Sequence, residues 1–258
     1  MEYIFPMAPF PNIDVPGTPI IFHPEIPIFY ARISTLLKGL FTNPDLHQIR
    51  PVLNQVIGED DFKRDFLSRT EKERLNRFKA LKKQLEWACG RFMIKSLARA
   101  ALSLGETPVM AADRSLTDIA LDYREKGAPF LVDAPEVSIT LSHSGDFTAA
   151  GISLVPGTIL GLDIEAIGPM PDANFLKTAF TPNEIRDMGG TPKGVFRAWT
   201  LKEAYLKYIG MGFNENLHRV EIMADHIVHH GKTAPVEMFT TVIEDSYSLS
   251  IVTGPDPD

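Results

Sequence analysis

The sequence predicts a doubled α+β fold, in which helices and short strands occur together in each half of the chain. Two observations predict it. A capping-box pattern at residues 68–71 (SRTE) opens a run of apolar residues at helical spacing, and after Pro129 the periodicity changes to that of short, mostly buried strands. A second helical pattern with further strands follows in the last third of the chain. No exact repeat is visible, so the predicted duplication concerns architecture alone.

Turn residues and runs of β-branched or aromatic residues set the expected element boundaries. The first thirty residues carry seven of the 20 prolines, which disfavour the interior of helices and sheets, so an extended arm is expected at 1–21. The following expected elements are a strand at 26–34, a long helix at 70–103, a variable connection at 109–125, strands at 137–141, 147–153 and 159–164, helices at 182–188 and 193–209, and strands at 218–223 and 236–253. These elements group into an N-terminal lobe at 22–157 and a C-terminal lobe at 158–258.

Composition excludes several classes of protein. The 258 residues are 44% hydrophobic and 23% charged, which is the balance of a globular protein. The single cysteine, Cys89, excludes a disulfide framework and a cysteine-rich zinc site. No apolar run approaches the roughly 20 residues needed to cross a bilayer, and the residues after Met1 lack the layout of a signal peptide, so a cytoplasmic protein without a membrane span is expected. The net charge of −7 argues against a general nucleic-acid binder.

One segment departs from this acidic average. Residues 63–99 hold twelve Lys or Arg against four acids, a local charge of +8 that leaves −15 for the rest of the chain. Such a segment favours contact with a negatively charged ligand or partner, although a solvated helix face would have the same composition.

Three carboxylates and a lysine form the candidate chemical centre. Asp163 and Glu165 are two residues apart, which places both on one face of the predicted strand, where they repel each other unless a cation lies between them. Glu203 and Lys207 are four residues apart on a predicted helix, so they share a face. The alternatives are a solvated strand end and an ordinary surface ion pair. Three oxygen ligands without a cysteine suit Mg²⁺.

A short polar segment follows the strand predicted at 137–141. Residues 142–146 (SHSGD) offer hydroxyls, an imidazole and the backbone amides of a turn, an arrangement that can hold a phosphate. The alternative is a structural or solvated histidine beside two serines.

These motifs, in this order, resemble a known family. The segments 161–165 (GLDIE) and 199–207 (WTLKEAYLK) resemble the paired signature of the 4′-phosphopantetheinyl transferases. Residues 141–146 (LSHSGD) look like that family's phosphate-binding turn, 180–184 (FTPNE) like its connecting segment, and 90–95 (GRFMIK) is similar as well. The resemblance spans about 68–213, and the length suggests the larger, monomeric Sfp-type branch rather than the half-length trimeric type.

The resemblance implies a fold and a reaction. The fold would be a pseudo-duplicated two-lobe α+β structure, each lobe a small, mostly antiparallel sheet packed on a long helix, with the active site in the cleft between the lobes. The N-terminal lobe would contact the nucleotide and phosphates of coenzyme A, and the C-terminal lobe would carry the metal and catalytic residues. The reaction would transfer the 4′-phosphopantetheine group of coenzyme A to a serine of an acyl or peptidyl carrier protein, releasing adenosine 3′,5′-bisphosphate.

The family's functional residues carry over to matching positions. The Mg²⁺ ligands, for which Mn²⁺ could substitute, map to Asp163, Glu165 and Glu203. Lys207 would face the α-phosphate leaving group, and Glu203, Glu165 or a water would deprotonate the attacking serine. The expected contacts to coenzyme A are Ser142, His143, Arg91, Arg74 and Lys202.

Two departures from the family pattern concern the nucleotide end of the site. The family's Gly-Lys-Pro is Gly-Ala-Pro here at 127–129, with Lys126 nearby, and Glu86 stands where relatives often have a basic residue.

Two other functions compete with transfer: a catalytically inactive module that binds coenzyme A or a carrier protein, and another Mg²⁺-dependent phosphotransferase or hydrolase. The absence of a Gly-x-x-x-x-Gly-Lys-Ser/Thr sequence excludes a P-loop enzyme. The carrier, its pathway and tolerance of acyl-coenzyme A leave no trace in the sequence.

Overall fold

Two antiparallel sheets, each backed by one long helix, form the frame of the protein. The computed structural model describes residues 15–40, 65–102 and 114–257. The strands are β1 (Thr18–His23), β2 (Ile26–Arg32), β3 (Leu121–Tyr123), β4 (Pro129–Leu131), β5 (Ser138–Ser144), β6 (Phe147–Ser153), β7 (Thr158–Ala166), β8 (Val220–Ile222), β9 (Ile227–His229), β10 (Lys232–Thr233), β11 (Glu237–Ile243) and β12 (Tyr247–Pro255). The helices are α1 (Ile33–Leu40), α2 (Arg69–Asn76), α3 (Leu81–Leu102), α4 (Ala173–Ala179), α5 (Pro182–Asp187) and α6 (Pro192–Tyr208).

The sheet topology divides the elements into two lobes. The N-terminal sheet has the strand order β1-β2-β6-β5 and packs against α3, and the C-terminal sheet has the order β11-β12-β7 and packs against α6. Two smaller sheets, β10-β9-β8 and β3-β4, lie beside them. Every strand pair of the described chain is antiparallel. The predicted α+β fold of two lobes is therefore confirmed. Within the described ranges, no helix is long and apolar enough to cross a bilayer.

Hydrophobic burial stabilises each lobe and the junction between them. One apolar cluster surrounds α3 and a second surrounds α6. A third cluster joins the two sheets, with Ile28 and Phe147 from the N-terminal sheet and Leu162, Ile164 and Ile251 from the C-terminal sheet. Because these side chains are almost fully buried, separating the lobes would expose a continuous apolar surface to water.

Polar contacts between β5 and β7 use side chains in place of a backbone ladder. Alternate hydroxyl residues of β5 point at β7 and accept hydrogen bonds from its backbone N–H groups. The three bonds run from Leu160 N to Ser138 Oγ (2.9 Å), from Leu162 N to Thr140 Oγ1 (3.2 Å) and from Ala166 N to Ser144 Oγ (3.2 Å). We call this contact the hydroxyl seam. It fixes the register of β7 relative to the N-terminal sheet.

Gly161 allows α6 to lie directly on β7. A Cβ atom at this position would overlap the carbonyl oxygen of Ala204 and lie 2.7 Å from the backbone nitrogen of Tyr208. Both atoms belong to the backbone of α6 and cannot rotate away. The absence of a side chain at Gly161 therefore sets the distance between the strand that carries Asp163 and the helix that carries Glu203.

The prediction of one long helix at 70–103 is wrong, because two helices occupy this segment. The capping box is present, with Glu71 N donating to Ser68 Oγ at 3.3 Å and Ser68 N to Glu71 Oε2 at 2.9 Å. However, α2 ends at Asn76 and α3 starts at Leu81. At the break, the Leu75 carbonyl accepts from the Gln84 side chain at 3.3 Å and from Phe78 N at 3.2 Å. These donors replace the helical hydrogen bonds that a continuous helix would supply.

Other boundaries also differ from the prediction. The segment expected to be an extended arm contains β1, and its residues 1–14 lie outside the described ranges. The strand predicted at 26–34 ends at Arg32, where the unpredicted α1 begins. The connection at 109–125 contains β3 in its described part. The helix α4 was not predicted. The segment expected to be one strand at 236–253 forms the hairpin β11–β12 instead. Its turn contains Glu244 and Asp245, whose φ values are 49° and 55°.

We expect Gly161→Ala to lower the free energy of unfolding by roughly 1–3 kcal/mol, the usual cost of overpacking. The control is Gly39→Ala in α1, where an added Cβ would meet no atom within 4 Å. In a helix that exchange should stabilise by about 0.5–1 kcal/mol. Urea unfolding of the two variants measures both effects, and a Gly161→Ala protein as stable as the native chain would refute the close approach of α6 and β7.

Candidate active site

The candidate site lies where the hydroxyl seam meets α6. Strand alternation turns Asp163 and Glu165 of β7 toward β5, and one face of α6 presents Glu203 and Lys207 to the same place. Ser142 of β5 completes the group from the N-terminal sheet. The predicted site residues Asp163, Glu165, Glu203, Lys207 and Ser142 are thus close together in the structure.

Asp163 is the central carboxylate of this group. Only 4% of the residue is exposed. Its Oδ1 accepts hydrogen bonds from Ser142 Oγ at 2.7 Å and from Lys207 Nζ at 2.8 Å. Its Oδ2 is buried and has no hydrogen-bond partner. A buried carboxylate oxygen without a partner is costly, so this atom is poised to accept a donor or a cation.

Glu203 also has a buried carboxylate oxygen, Oε1, without a hydrogen-bond partner. Burial raises the pKa of Glu203 to about 7, and the negative charges of Asp163 and Glu165 add to the rise, while Lys207 opposes it. Protonation of Glu203 near neutral pH therefore relieves the repulsion among the three acids.

Glu165 is the most accessible of the three carboxylates. Its Oε2 accepts a hydrogen bond from Ser144 Oγ at 2.7 Å. Burial raises the pKa of Glu165, the hydrogen bond from Ser144 lowers it, and the charge of Asp163 raises it again. The net upward shift shows that burial and like charge outweigh the hydrogen bond.

The three acids offer the donor chemistry of a divalent-cation site. Two buried carboxylate oxygens, Asp163 Oδ2 and Glu203 Oε1, lack any partner, and the pKa values of Glu165 and Glu203 are raised by their surroundings. A cation beside these oxygens would satisfy both and remove the repulsion. All the donor atoms are hard oxygens, the type that Mg²⁺ and Mn²⁺ prefer.

Lys207 contacts Asp163 instead of its helical neighbour Glu203. Its Nζ donates to Asp163 Oδ1 at 2.8 Å, to Ser142 Oγ at 2.9 Å and to the Leu162 carbonyl at 2.9 Å. Within the described residues, Lys207 forms one ion pair, and its partner is Asp163. An ordinary surface ion pair with Glu203 is therefore not what the structure contains.

The polar segment 142–146 is placed differently from the prediction. Ser142 and His143 belong to β5 rather than to a turn, and the turn begins at Gly145, whose φ is 58°. Ser142 faces the three acids, whereas His143 Nδ1 lies 3.5 Å from Glu86 Oε2 on α3. Burial lowers the pKa of His143, so the imidazole is neutral at pH 7.

Glu86 does not give its surroundings a net negative charge. Its carboxylate lies 3.7 Å from Lys82 Nζ and 3.9 Å from Lys83 Nζ, in addition to the contact with His143. Lys82 and Lys83 of α3 thus compensate the charge of Glu86.

Arg74 and Arg91 meet at the ring of Tyr123. The guanidinium of Arg74 lies 4.2 Å from the ring centroid and that of Arg91 lies 5.1 Å from it. Arg91 also donates to the Tyr123 hydroxyl and is almost fully buried, with its Nη1 lacking a partner. The structure brings these two predicted contacts together, and their assignment to coenzyme A stays a prediction.

Lys202 is not placed to bind a cofactor, which corrects the sequence-based assignment. The side chain is fully buried, and its Nζ donates to Glu184 Oε2 at 2.9 Å, to the Ala179 carbonyl at 2.7 Å and to the Leu217 carbonyl at 3.0 Å. An ammonium group has three donors, so none remains for a ligand. Lys202 therefore has a structural role, tying α6 to the segments that precede and follow it.

The sequence places Ser144 in the candidate phosphate-binding segment, but its contact with Glu165 and its part in the hydroxyl seam were not predicted. The signal was present in the sequence. Residues 138, 140, 142 and 144 are all Ser or Thr, and this period of two places four hydroxyls on one face of β5.

We expect the pKa of Glu203 to appear in the pH dependence of stability. The folded protein keeps a proton on Glu203 up to about pH 7, whereas the unfolded chain releases it near the ordinary value of 4.5. Because the folded state binds more protons in this window, the free energy of unfolding should fall as pH rises from about 4.5 to 7. Glu203→Gln should flatten this slope, measured by urea unfolding in chelator at several pH values.

The control for this measurement is Glu237→Gln, which removes an exposed carboxylate on β11 and should keep the native slope. Equal slopes for native and Glu203→Gln proteins would contradict the buried, repelling cluster.

The segment that carries the candidate site is similar to known proteins. A family model described as the 4′-phosphopantetheinyl transferase superfamily matches residues 159–252, the segment that contains all three acids and Lys207. The chain is 30% identical over 179 residues to a phosphopantetheinyl transferase of Thraustochytrium, a match that covers 62% of this chain and 58% of that protein.

Two Bacillus subtilis proteins match over more of their length. The 4′-phosphopantetheinyl transferase ffp is 25% identical over 202 residues, covering 72% of this chain and 86% of that protein. The 4′-phosphopantetheinyl transferase Sfp is 28% identical over 195 residues, covering 66% of this chain and 83% of that protein. The chain therefore spans less than two thirds of the Thraustochytrium relative and more than four fifths of the two Bacillus relatives. These matches make the chain similar to enzymes of the 4′-phosphopantetheinyl transferase superfamily over residues 159–252, and similar to the Sfp-type members ffp and Sfp over most of the length of those two proteins.

Proposed function

We propose that the protein transfers the 4′-phosphopantetheine group of coenzyme A to a serine hydroxyl of an acyl or peptidyl carrier protein and releases adenosine 3′,5′-bisphosphate. The observation that carries the proposal is the pair of unpartnered buried oxygens, Asp163 Oδ2 and Glu203 Oε1, beside the ammonium group of Lys207. Such a site attracts a cation and a phosphate together, which is what cleavage of a pyrophosphate requires. The similarity to 4′-phosphopantetheinyl transferases supports the pyrophosphate of coenzyme A as the group that is cleaved.

In this reaction the serine oxygen forms a bond to the phosphorus that carries pantetheine, and the bond from this phosphorus to the bridging oxygen breaks. The leaving group is the α-phosphate of adenosine 3′,5′-bisphosphate, and the serine proton must pass to a base. Mg²⁺, held by Asp163, Glu165 and Glu203, would neutralise negative charge on the pyrophosphate oxygens.

Glu203 is placed to accept the serine proton, directly or through a water. Its pKa of about 7 keeps it partly ionised at neutral pH, which suits a general base. A bound cation would lower that pKa and weaken the base, and Glu165 or a water would then take the proton.

Lys207 is placed to stabilise the leaving phosphate. Its three donors already have acceptors, of which the Ser142 hydroxyl is the only uncharged side chain. A phosphate oxygen is a stronger acceptor than a hydroxyl, so substrate would replace Ser142 at the ammonium group while the bond to Asp163 persists. Ser142 and His143 would contact the coenzyme A phosphates, and Arg74 and Arg91 the 3′-phosphate.

We expect Asp163→Asn and Glu203→Gln each to abolish transfer, because each replaces a charged oxygen ligand by a neutral amide of the same shape. The assay is intact mass spectrometry of apo carrier proteins incubated with coenzyme A and Mg²⁺, with Glu237→Gln as the control. A chelator should stop the reaction, and Mg²⁺ or Mn²⁺ should restore it.

The products separate the competing functions. A mass gain on serine together with adenosine 3′,5′-bisphosphate supports transfer. Free phosphopantetheine without a carrier mass gain would show hydrolysis, and coenzyme A binding without any product would show a binding module. Native activity in Asp163→Asn or Glu203→Gln would refute the metal assignment.

We expect Lys207→Ala to lower kcat by roughly a hundredfold or more, the scale seen when one preorganised electrostatic contact is lost. The same change removes the donor to buried Asp163 and should cost about 1–3 kcal/mol of stability. Lys207→Arg separates the two roles. The guanidinium can still pair with Asp163 and preserve the melting temperature, but it cannot replace a compact ammonium as a proton donor, so kcat should stay low. Native kcat in the arginine variant would remove Lys207 from the chemical step.

A further inference from the structure

A second group of potential metal ligands lies in the C-terminal lobe, outside the three-acid site. Glu215 precedes the short sheet β8-β9-β10, His229 ends β9, and His230 lies in the turn between β9 and β10. One ligand atom from each of these residues lies within 4.8 Å of the other two. The residue types are two imidazoles and one carboxylate, without a cysteine.

The distances between the candidate ligand atoms are close to those between the ligands of a bound metal ion. Glu215 Oε2 lies 3.3 Å from His229 Nε2 and 3.6 Å from His230 Nε2. Ligands about 2.0–2.1 Å from a tetrahedral metal ion are separated from each other by about 3.3 Å. A small cation would therefore need only minor side-chain rotation to reach all three atoms.

Neighbouring groups already orient the two more buried ligands. The hydroxyl of Tyr205 is hydrogen-bonded to His229 Nδ1 at 3.1 Å, which leaves Nε2 directed toward Glu215. Glu215 Oε1 accepts from the backbone N–H of Asn216 at 2.8 Å, which leaves Oε2 directed toward the imidazoles. A hydrogen bond on the far side of each ligand is the usual support of a metal site.

His230 adds the third ligand from a constrained turn. Its φ is 49°, a left-handed conformation in which histidine is found more often than most residues, and Gly231 follows with a φ of 74°. This turn brings the ring of His230 to 4.3 Å from that of His229, measured between centroids. The adjacent imidazoles thus point to the same place although they are consecutive in sequence.

We propose that Glu215, His229 and His230 form a binding site for one divalent transition-metal ion, of which Zn²⁺ fits the ligand set best. Two imidazoles and a carboxylate suit Zn²⁺, whereas Mg²⁺ prefers oxygen ligands alone. Glu215 and His229 also line a cavity of about 510 Å³, so the remaining coordination position is open to water or another ligand. This site is chemically distinct from the three-acid site.

Zn²⁺ titration of the untagged full-length chain, followed by calorimetry in millimolar Mg²⁺, tests the proposal. Excess Mg²⁺ would compete with Zn²⁺ at the three oxygen ligands of the three-acid site and bind the histidines poorly, so Zn²⁺ binding under these conditions reports on the histidines. We expect one Zn²⁺ per chain, an increase in melting temperature on binding, and a loss of affinity of roughly tenfold or more in His229→Ala, Glu215→Gln and His230→Asn. Asparagine tolerates the left-handed turn at 230, so this variant retains the backbone conformation.

Two matched controls keep the outcome decisive. His226→Asn removes a nearby half-exposed histidine whose partner is Asp225, and Asp163→Asn alters the three-acid site, so both should bind Zn²⁺ like the native chain. Absence of Zn²⁺ binding would show that the three residues form an ion-pair cluster and overturn the proposal. Zn²⁺ binding that is lost in Asp163→Asn but kept in His230→Asn would overturn it equally.

Discussion

The close approach of α6 to β7 at Gly161 is the constraint on which the site depends. A side chain of any size at this position would push the helix away from the strand, because the atoms it meets are backbone atoms. Asp163 lies two residues further along β7, and Lys207 lies three residues after Ala204 on α6. The 2.8 Å contact between Lys207 Nζ and Asp163 Oδ1 therefore follows from backbone packing. If α6 moved away from β7, no change of side-chain rotamer could restore this distance.

The packing of α6 on β7 brings three carboxylates close together in a site with little access to water. Burial disfavours the ionised forms of Glu165 and Glu203, and the raised pKa values of both carboxyls reflect this cost. The single ammonium of Lys207 compensates one charge of the three. In the proposed function, a bound cation would offset this unfavourable arrangement, because its positive charge would attract all three carboxylates.

Much of the fold and the site could be predicted from sequence, and the errors have physical causes. The strands β5, β6 and β7 were predicted because short runs rich in apolar and β-branched residues are separated by turn residues. The break between α2 and α3 was missed because Leu75, Phe78 and Leu81 keep helical spacing across it, and spacing does not show where a chain turns. Only the fold reveals that Gln84 supplies the hydrogen bond that ends α2.

Lys202 shows how an assignment carried over from a resemblance can fail. It adjoins Glu203 in the chain, but one residue rotates a helix by about 100°. Its neighbours one turn away, Ala198 and Leu206, are buried in the core, which the helical pattern alone indicates. The His229 and Glu215 contact could not be predicted in this way, because fourteen residues and two changes of direction separate them.

The hydroxyl seam has a consequence for how the two lobes communicate. Ser142 and Ser144 belong to one lobe, and the carboxylates that accept their hydrogen bonds, Asp163 and Glu165, belong to the other. These two hydrogen bonds lie beside the seam and also join the lobes, so a cation bound at the carboxylates would change their strength. By thermodynamic linkage, the occupancy of the proposed site and the tightness of the lobe contact would influence each other equally. The charge state of the proposed site would then stiffen or loosen the contact between the two lobes.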